Sequence, residues 1–222
     1  MKSTELTTVA THVADQIRTM ILDHRFKPNE PLLQDKIAQD LGTSRIPVRE
    51  ALRLLENEGL VVIRSHSSAR VSRMDFAECV EIYKIRERLE PLALQESIAN
   101  LSNTQIENVA TLAESLAAPE STGALWLERD RLFHLGTYAG VSSPRLLKLI
   151  TSYWNSTQHY RRAVVSTFSE LDHQIAFCEH TLLLDAVKTR NAEIGEDILR
   201  IHISRAGTRL ANNSNLFDWV AN

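Results

Sequence analysis

Two groups of residues in this 222-residue chain have the types and spacing to do chemistry. Arg45, Arg49 and Arg53 recur at i, i+4 and i+8, which on a helix brings them to one face. Beside that face, Val48, Leu52 and Leu55 recur at i, i+4 and i+7 as an apolar stripe. A helix in the major groove of DNA needs that design: anchored on one side, it presents cations to phosphates and base edges on the other. The second group lies far along the chain. Asp130 and His134 are i, i+4 on a helix side that also carries Leu127, Phe133 and Tyr138. His180 shares a face with Phe177, Leu184 and Val187, His173 points the same way, and His202 sits among Ile198, Leu199 and Ala206. Such groups on inward faces are costly unless paired or bound to a metal. One Asp and three His around a point suit a divalent transition metal, zinc first, with nickel or manganese accepting similar ligands. Blander readings stand beside both: a solvated arginine face, and a satisfied core histidine at each position.

The elements that must position these residues follow from the same spacing. Gly42 can turn the chain with a positive φ, Ser44 is an N-cap, Pro47 falls in the first turn, and Gly59 closes the helix. Upstream, Leu33, Ile37, Ala38 and Leu41 give a short helix, and Val9, Val13, Ile17, Met20 and Ile21 give an earlier one from Val9 to about Asp23. Downstream, Leu60–Ile63 and Arg70–Arg73 read as two strands around the polar tip Ser65–Ser68. Three helices and a two-stranded wing make a winged helix-turn-helix over residues 1–73. From Phe76 onward the pattern is helical throughout. Six helices are expected, over about 76–101, 103–117, 124–139, 144–165, 170–189 and 191–211, with Ser102 and Gln105 as a capping box. The fold class is thus mainly α: a winged helix-turn-helix followed by an all-α bundle over residues 76–222. The Met74–Asp75 linker is short and Gly-free, and the tail 212–222 shows no clear state.

Charge is weakly segregated. Residues 1–73 hold 11 Lys/Arg against 9 Asp/Glu, a net of +2, and the remainder holds 14 against 19, a net of −5. Selective readout by a few arginines suits this balance better than bulk electrostatic binding. Cys79 and Cys178, far apart and near no ligand-like neighbour, read as buried free thiols of a reducing cytoplasm. Neither a transmembrane run nor a signal-peptide core is visible, so a cytoplasmic protein without a membrane partner is expected.

Leu41–Leu52 and Leu55–Val61 closely resemble the DNA-binding signature of GntR-type bacterial transcription regulators, and the match runs across roughly the first 73 residues. The resemblance implies that Arg45 and Arg49 touch operator DNA, that Ser44 and Pro47 set how the helix enters the groove, and that Arg53 meets a phosphate. Two departures stand out: Ser67, Ser68 and Ala69 occupy a wing tip that usually carries glycine, and Asp35 beside Lys36 replaces a more basic second helix. Asp130–His134, Glu179–His180 and His202–Ile203 resemble the metal-binding residues of the FCD effector domain of FadR-type regulators, here in a six-helix, VanR-like form. Carried over, Asp130, His134, His180 and His202 are metal ligands, and a small carboxylate effector sits beside the ion. Arg86, Tyr160 and Arg161 are the residues expected to complete that anion site. The implied molecule is a homodimer on a palindromic operator, with DNA affinity set by the acid. Two alternatives stay open: a regulator with a purely structural metal and no effector, and a metalloenzyme with a vestigial DNA-binding head.

Overall fold

The computed structural model describes residues 2–23, 25–65 and 68–213, without the side chains of residues 2–8, Ser65 and His159. The described residues fall into two compact units, one drawn from Met1–Met74 with Asn155–His159, the other from Asp75–Trp154 and Tyr160–Asn222.

In the first unit the apolar spacing becomes α1 (Lys2–Leu22), α2 (Gln34–Asp40) and α3 (Arg45–Asn57), followed by β1 (Val61–Ser65) and β2 (Ser68–Val71). Gly42 turns between α2 and α3 at φ +61°, and Gly59 follows α3 at φ +78°, both in the region where a Cβ is penalised. The core is built from Ile17 and Ile21 of α1, Ile37 of α2 and Val48, Leu52 and Leu55 of α3. Val9, expected in that stripe, is exposed. Arg18 of α1 fastens α1 to the end of α3: its Nε and Nη2 donate to Glu58 Oε2 and Oε1, both at 2.7 Å. That fork is the strong geometry for an arginine–carboxylate pair. The strands pair antiparallel, with Val61 opposite Val71 and Ile63 opposite Ala69. They lie closer to the tip than expected, because alternation in that register buries Val61, Ala69 and Val71 together. Of the expected tip, His66 and Ser67 lie outside the described residues.

After residue 75 the described residues form six helices, α4 (Phe76–Asn100), α5 (Asn103–Ala117), α6 (Gly123–Thr137), α7 (Pro144–Val165), α8 (Glu170–Lys188) and α9 (Ala192–Ala211), which make up the second unit apart from Asn155–His159 of α7. The starts of all but α6 are set by side chains that accept orphan N–H groups. Asp75 caps α4, Ser102 and Gln105 form the expected capping box on α5, and Ser169 with Asp172 forms another on α8. Gly140, after α6, lies against α4: its N–H donates to Ser97 Oγ at 2.9 Å, and Ser97 Oγ donates to Thr137 O at 2.6 Å. Buried polar groups form a layer in the core. Glu90, fully buried, accepts from Arg86 Nε, from Tyr138 OH at 2.7 Å and from Trp154 Nε1 at 3.1 Å. Of the tail, residues 214–222 lie outside the described residues.

Candidate metal centre, ligand cleft and nucleic-acid face

Asp130 and His134 of α6, His180 of α8 and His202 of α9 do converge: one ligand atom from each lies within 4.8 Å of all the others. The i, i+4 spacing on α6 places two of them one turn apart, and apolar neighbours on α8 and α9 turn the other two toward the same point. His180 Nε2 stands 3.1 Å from Asp130 Oδ1, His134 Nε2 stands 3.6 Å from the same oxygen, and the two imidazole nitrogens are 3.2 Å apart. Metal–ligand bonds of about 2.1 Å put neighbouring ligand atoms about 3.0–3.4 Å apart, so these separations are those of a coordination polyhedron.

The electrostatics support that fit. Burial opposes ionisation of Asp130, but Arg161 and the imidazoles outweigh it and hold the carboxyl well below the usual range. Burial, opposed by Asp130 and aided by the neighbouring His202 and His180, keeps His134 well below its ordinary value; burial also lowers His180. Asp130 is therefore held as a carboxylate and His134 and His180 as neutral imidazoles, the protonation state a divalent ion requires of such ligands. Asp130 Oδ1 is buried and accepts no aligned hydrogen bond, although His180 Nε2 and His134 Nε2 stand close to it. Lone pairs that face one another in this way call for a cation between them. His202 Nδ1 is 2.8 Å from Glu179 Oε2, which commits that nitrogen and leaves Nε2 to ligate.

Beside the cluster lies a cleft that opens to solvent. Asp130 and His202 open onto it, Trp126 and Phe168 supply aromatic wall, and Arg161, Arg205 and Arg209 supply cations. Arg161 pairs with Asp130 Oδ2, lies 4.0 Å from the Trp154 ring centroid and keeps a buried Nη1 without a hydrogen bond. Arg161 is thus brought to the site as expected. Arg86 and Tyr160 are not among the lining residues. Arg86 is only 3 % exposed and donates from Nε to Glu90, one turn on in α4, with a buried Nη1 left without a hydrogen bond, while Tyr160 is buried in the core. Arg205 and Arg209 were missed, although their signal was visible: with His202 they fall at i, i+3 and i+7 on one face of α9. Three further expectations need correcting. Phe177 is 53 % exposed, and His173 points outward against Trp126 and Phe168 rather than into the cluster. Cys178 is exposed, and only Cys79 is buried.

On α3, Val48, Leu52 and Leu55 are buried and Arg45, Arg49 and Arg53 are half or more exposed along their side chains. Ser44 occupies the N-cap position, but its hydroxyl makes no capping hydrogen bond, and Pro47 is buried in the first turn. Arg45 Nε is 3.0 Å from Asp35 Oδ1 of α2, and Arg49 and Arg53 lie 3.4 and 3.3 Å from Glu50. Ile46, between them, is exposed.

Residues 9–71 match the bacterial regulatory proteins of the gntR family, and residues 81–205 match the FCD domain. The uncharacterized HTH-type transcriptional regulator YdhC of Bacillus subtilis is 28 % identical over 193 residues, covering 86 % of this chain and 85 % of that one. The HTH-type transcriptional regulator McbR of Escherichia coli is 28 % identical over 172 residues, 75 % of this chain and 76 % of its own. The solved structure of E. coli McbR/YncC superposes with a TM-score of 0.78 at 22 % identity, covering 96 % of this chain and 98 % of that one. A GntR-family regulator from Pseudomonas syringae superposes with a TM-score of 0.55 at 28 % identity, over 92 % of this chain and 85 % of that one. Among the described residues, no helix is long and apolar enough to cross a membrane.

Proposed function

The chain belongs to the bacterial regulatory proteins of the gntR family and carries an FCD domain in its second half, and from that premise we propose that a small carboxylate, bound beside a divalent metal, sets how tightly it holds its operator. The protein is a DNA-binding transcription regulator. The observation that carries the finer reading is the convergence of four ligand atoms, two of them with neutral imidazoles, at the wall of a cleft that also holds Arg161.

Asp130, His134, His180 and His202 would hold the ion, with zinc the first choice for an imidazole-rich set and nickel or manganese the alternatives. A bound ion would supply a localised positive charge with open coordination positions for an anion's oxygens. Arg161 adds directional donors: its Nη2 already holds Asp130, and Nη1 is left for a ligand oxygen. Trp154 keeps the guanidinium in place from below, at 4.0 Å. Glu179 fixes the His202 ring through Nδ1. An acid seated here changes operator affinity only as far as it prefers one arrangement of the homodimer over another. On the DNA side, Arg45 and Arg49 read the major groove of a palindromic operator, Arg53 meets phosphate, and Ser44 and Pro47 set the start of the reading helix.

Metal analysis of the purified protein with thermal-shift screening of small carboxylates tests the site. An acid at about 100 times its Kd adds about 2.7 kcal/mol of stability, and that gain is expected to vanish in His134→Ala. A metal without any acid response would leave the ion a structural part only. Operator binding is tested by anisotropy at stated salt: Arg49→Ala should cost about 1–3 kcal/mol on the protein's own promoter region. Equal binding by wild type and Arg49→Ala would remove α3 as the reading element.

A further inference from the structure

We infer that the acid bound at this site carries at least two anionic groups, one held at the metal cluster and Arg161, the other at Arg205 and Arg209. This rests on the metal–carboxylate reading above and narrows it to a ligand class. Among the lining residues, three guanidinium groups stand against one carboxylate, that of Asp130. A monoacid that binds the ion and Arg161 leaves Arg205 and Arg209 of the same cleft with only their carboxylate partners behind it.

The geometry of α9 separates the two ends. His202, Arg205 and Arg209 recur at i, i+3 and i+7 and so line one face of α9. At 1.5 Å of rise per residue, Arg205 lies about 4.5 Å and Arg209 about 10 Å along the axis from the metal ligand. Both arginines have partners behind the cleft: Arg205 Nε is 2.7 Å from Glu179 Oε1, and Arg209 Nη2 pairs with Asp172 Oδ1. Neither partner lines the cleft, and one carboxylate cannot take the five N–H groups of a guanidinium. The Arg205 Nε is close to Glu179 without an aligned hydrogen bond and is buried, so a donor there is unsatisfied. The Arg209 guanidinium lies over the Phe168 ring at 4.9 Å, which fixes its plane. The lining also includes the apolar side chains of Val164, Val165 and Leu210, against which a run of methylene groups can pack. The arrangement describes a dicarboxylate or a longer polyanion with an apolar or lightly substituted spacer.

The test uses the full-length, metal-loaded protein and thermal shift or calorimetry with matched probes: succinate, glutarate, adipate and suberate against butyrate, hexanoate and octanoate. The expected result is a chain-length optimum among the diacids, with the best diacid about ten-fold tighter than its matched monoacid, the contribution of one charge-assisted contact. In Arg209→Gln the preference should collapse while the monoacid response stays as in wild type. Asp172→Asn, which breaks the same ion pair but keeps the cation, should retain the preference. Monoacids as tight as diacids, or Arg209→Gln and Asp172→Asn lowering all responses alike, would overturn the inference and leave the metal–carboxylate site standing. If no acid of either kind shifts wild type, the underlying reading fails instead.

Discussion

In the proposed DNA contact Arg45 starts out engaged, because Asp35 of the preceding helix holds its Nε at 3.0 Å while both side chains remain mostly in water. Exposed pairs of this kind are worth about 0.2–1 kcal/mol, so a phosphate or a guanine edge can displace Asp35 at modest cost. Asp35→Asn should therefore tighten operator binding a few-fold at low salt, with the gain shrinking as salt screens it; anisotropy titrations at two salt concentrations check both parts. The cysteines give a second residue-scale expectation. Burial pushes the Cys79 thiol up from 9.0 to about 12, whereas Cys178 is exposed. In the folded protein a disulfide reagent should modify Cys178 quickly and Cys79 only after unfolding. The sign for stability follows: the unfolded thiol ionises near 9 and the folded one does not, so Cys79 favours the fold below that pH and loses its contribution as pH rises toward 12. Urea midpoints of wild type and Cys79→Ala, compared from pH 8 upward, should show the wild-type curve falling more steeply.

At the scale of elements, close backbone approaches decide what the helices can present. A Cβ at Gly140 would stand well inside contact distance of Ser97 O and only 2.9 Å from Leu101 N, and backbone cannot step aside as a side chain would. Gly140→Ala should cost on the order of 2–3 kcal/mol, read as a lower urea midpoint with an unchanged slope. The helices themselves were legible from the sequence, since caps such as Ser102 and stripes such as Val48–Leu52–Leu55 are local signals. So was the convergence of Asp130, His134, His180 and His202, because an acid and imidazoles among apolar neighbours turn inward together. The remaining cleft residues were not, for a physical reason. An arginine's long stem lets it serve as core brace, surface charge or ligand donor, and only the partner decides which. Arg86 was expected in the cleft, yet Glu90 one turn along captures it in the core. Arg205 and Arg209 look like solvent-facing charges on α9 until α7 and α8 close over them with Arg161, Phe168 and Ala176. Ser44 marks the start of α3 correctly without making the hydrogen bond its type implies.

For the whole molecule, a metal at the proposed site concerns one unit only. The ligands belong to the second unit alone, so chelation should lower the melting of that unit and leave the transition of the winged-helix residues where it was, observed as two separating steps in calorimetry. The chain also labels its own halves. Its three tryptophans, at 126, 154 and 219, and four tyrosines, at 83, 138, 153 and 160, all fall after the winged helix. Trp126 faces the cleft, and Trp154 lies between Arg86 at 4.6 Å and Arg161 at 4.0 Å. Tryptophan and tyrosine emission thus comes from residues after position 73 and from none in the winged helix. Ions and acids can be followed by intrinsic fluorescence while a dye on the operator follows DNA, two optical channels that do not mix in one unmodified protein.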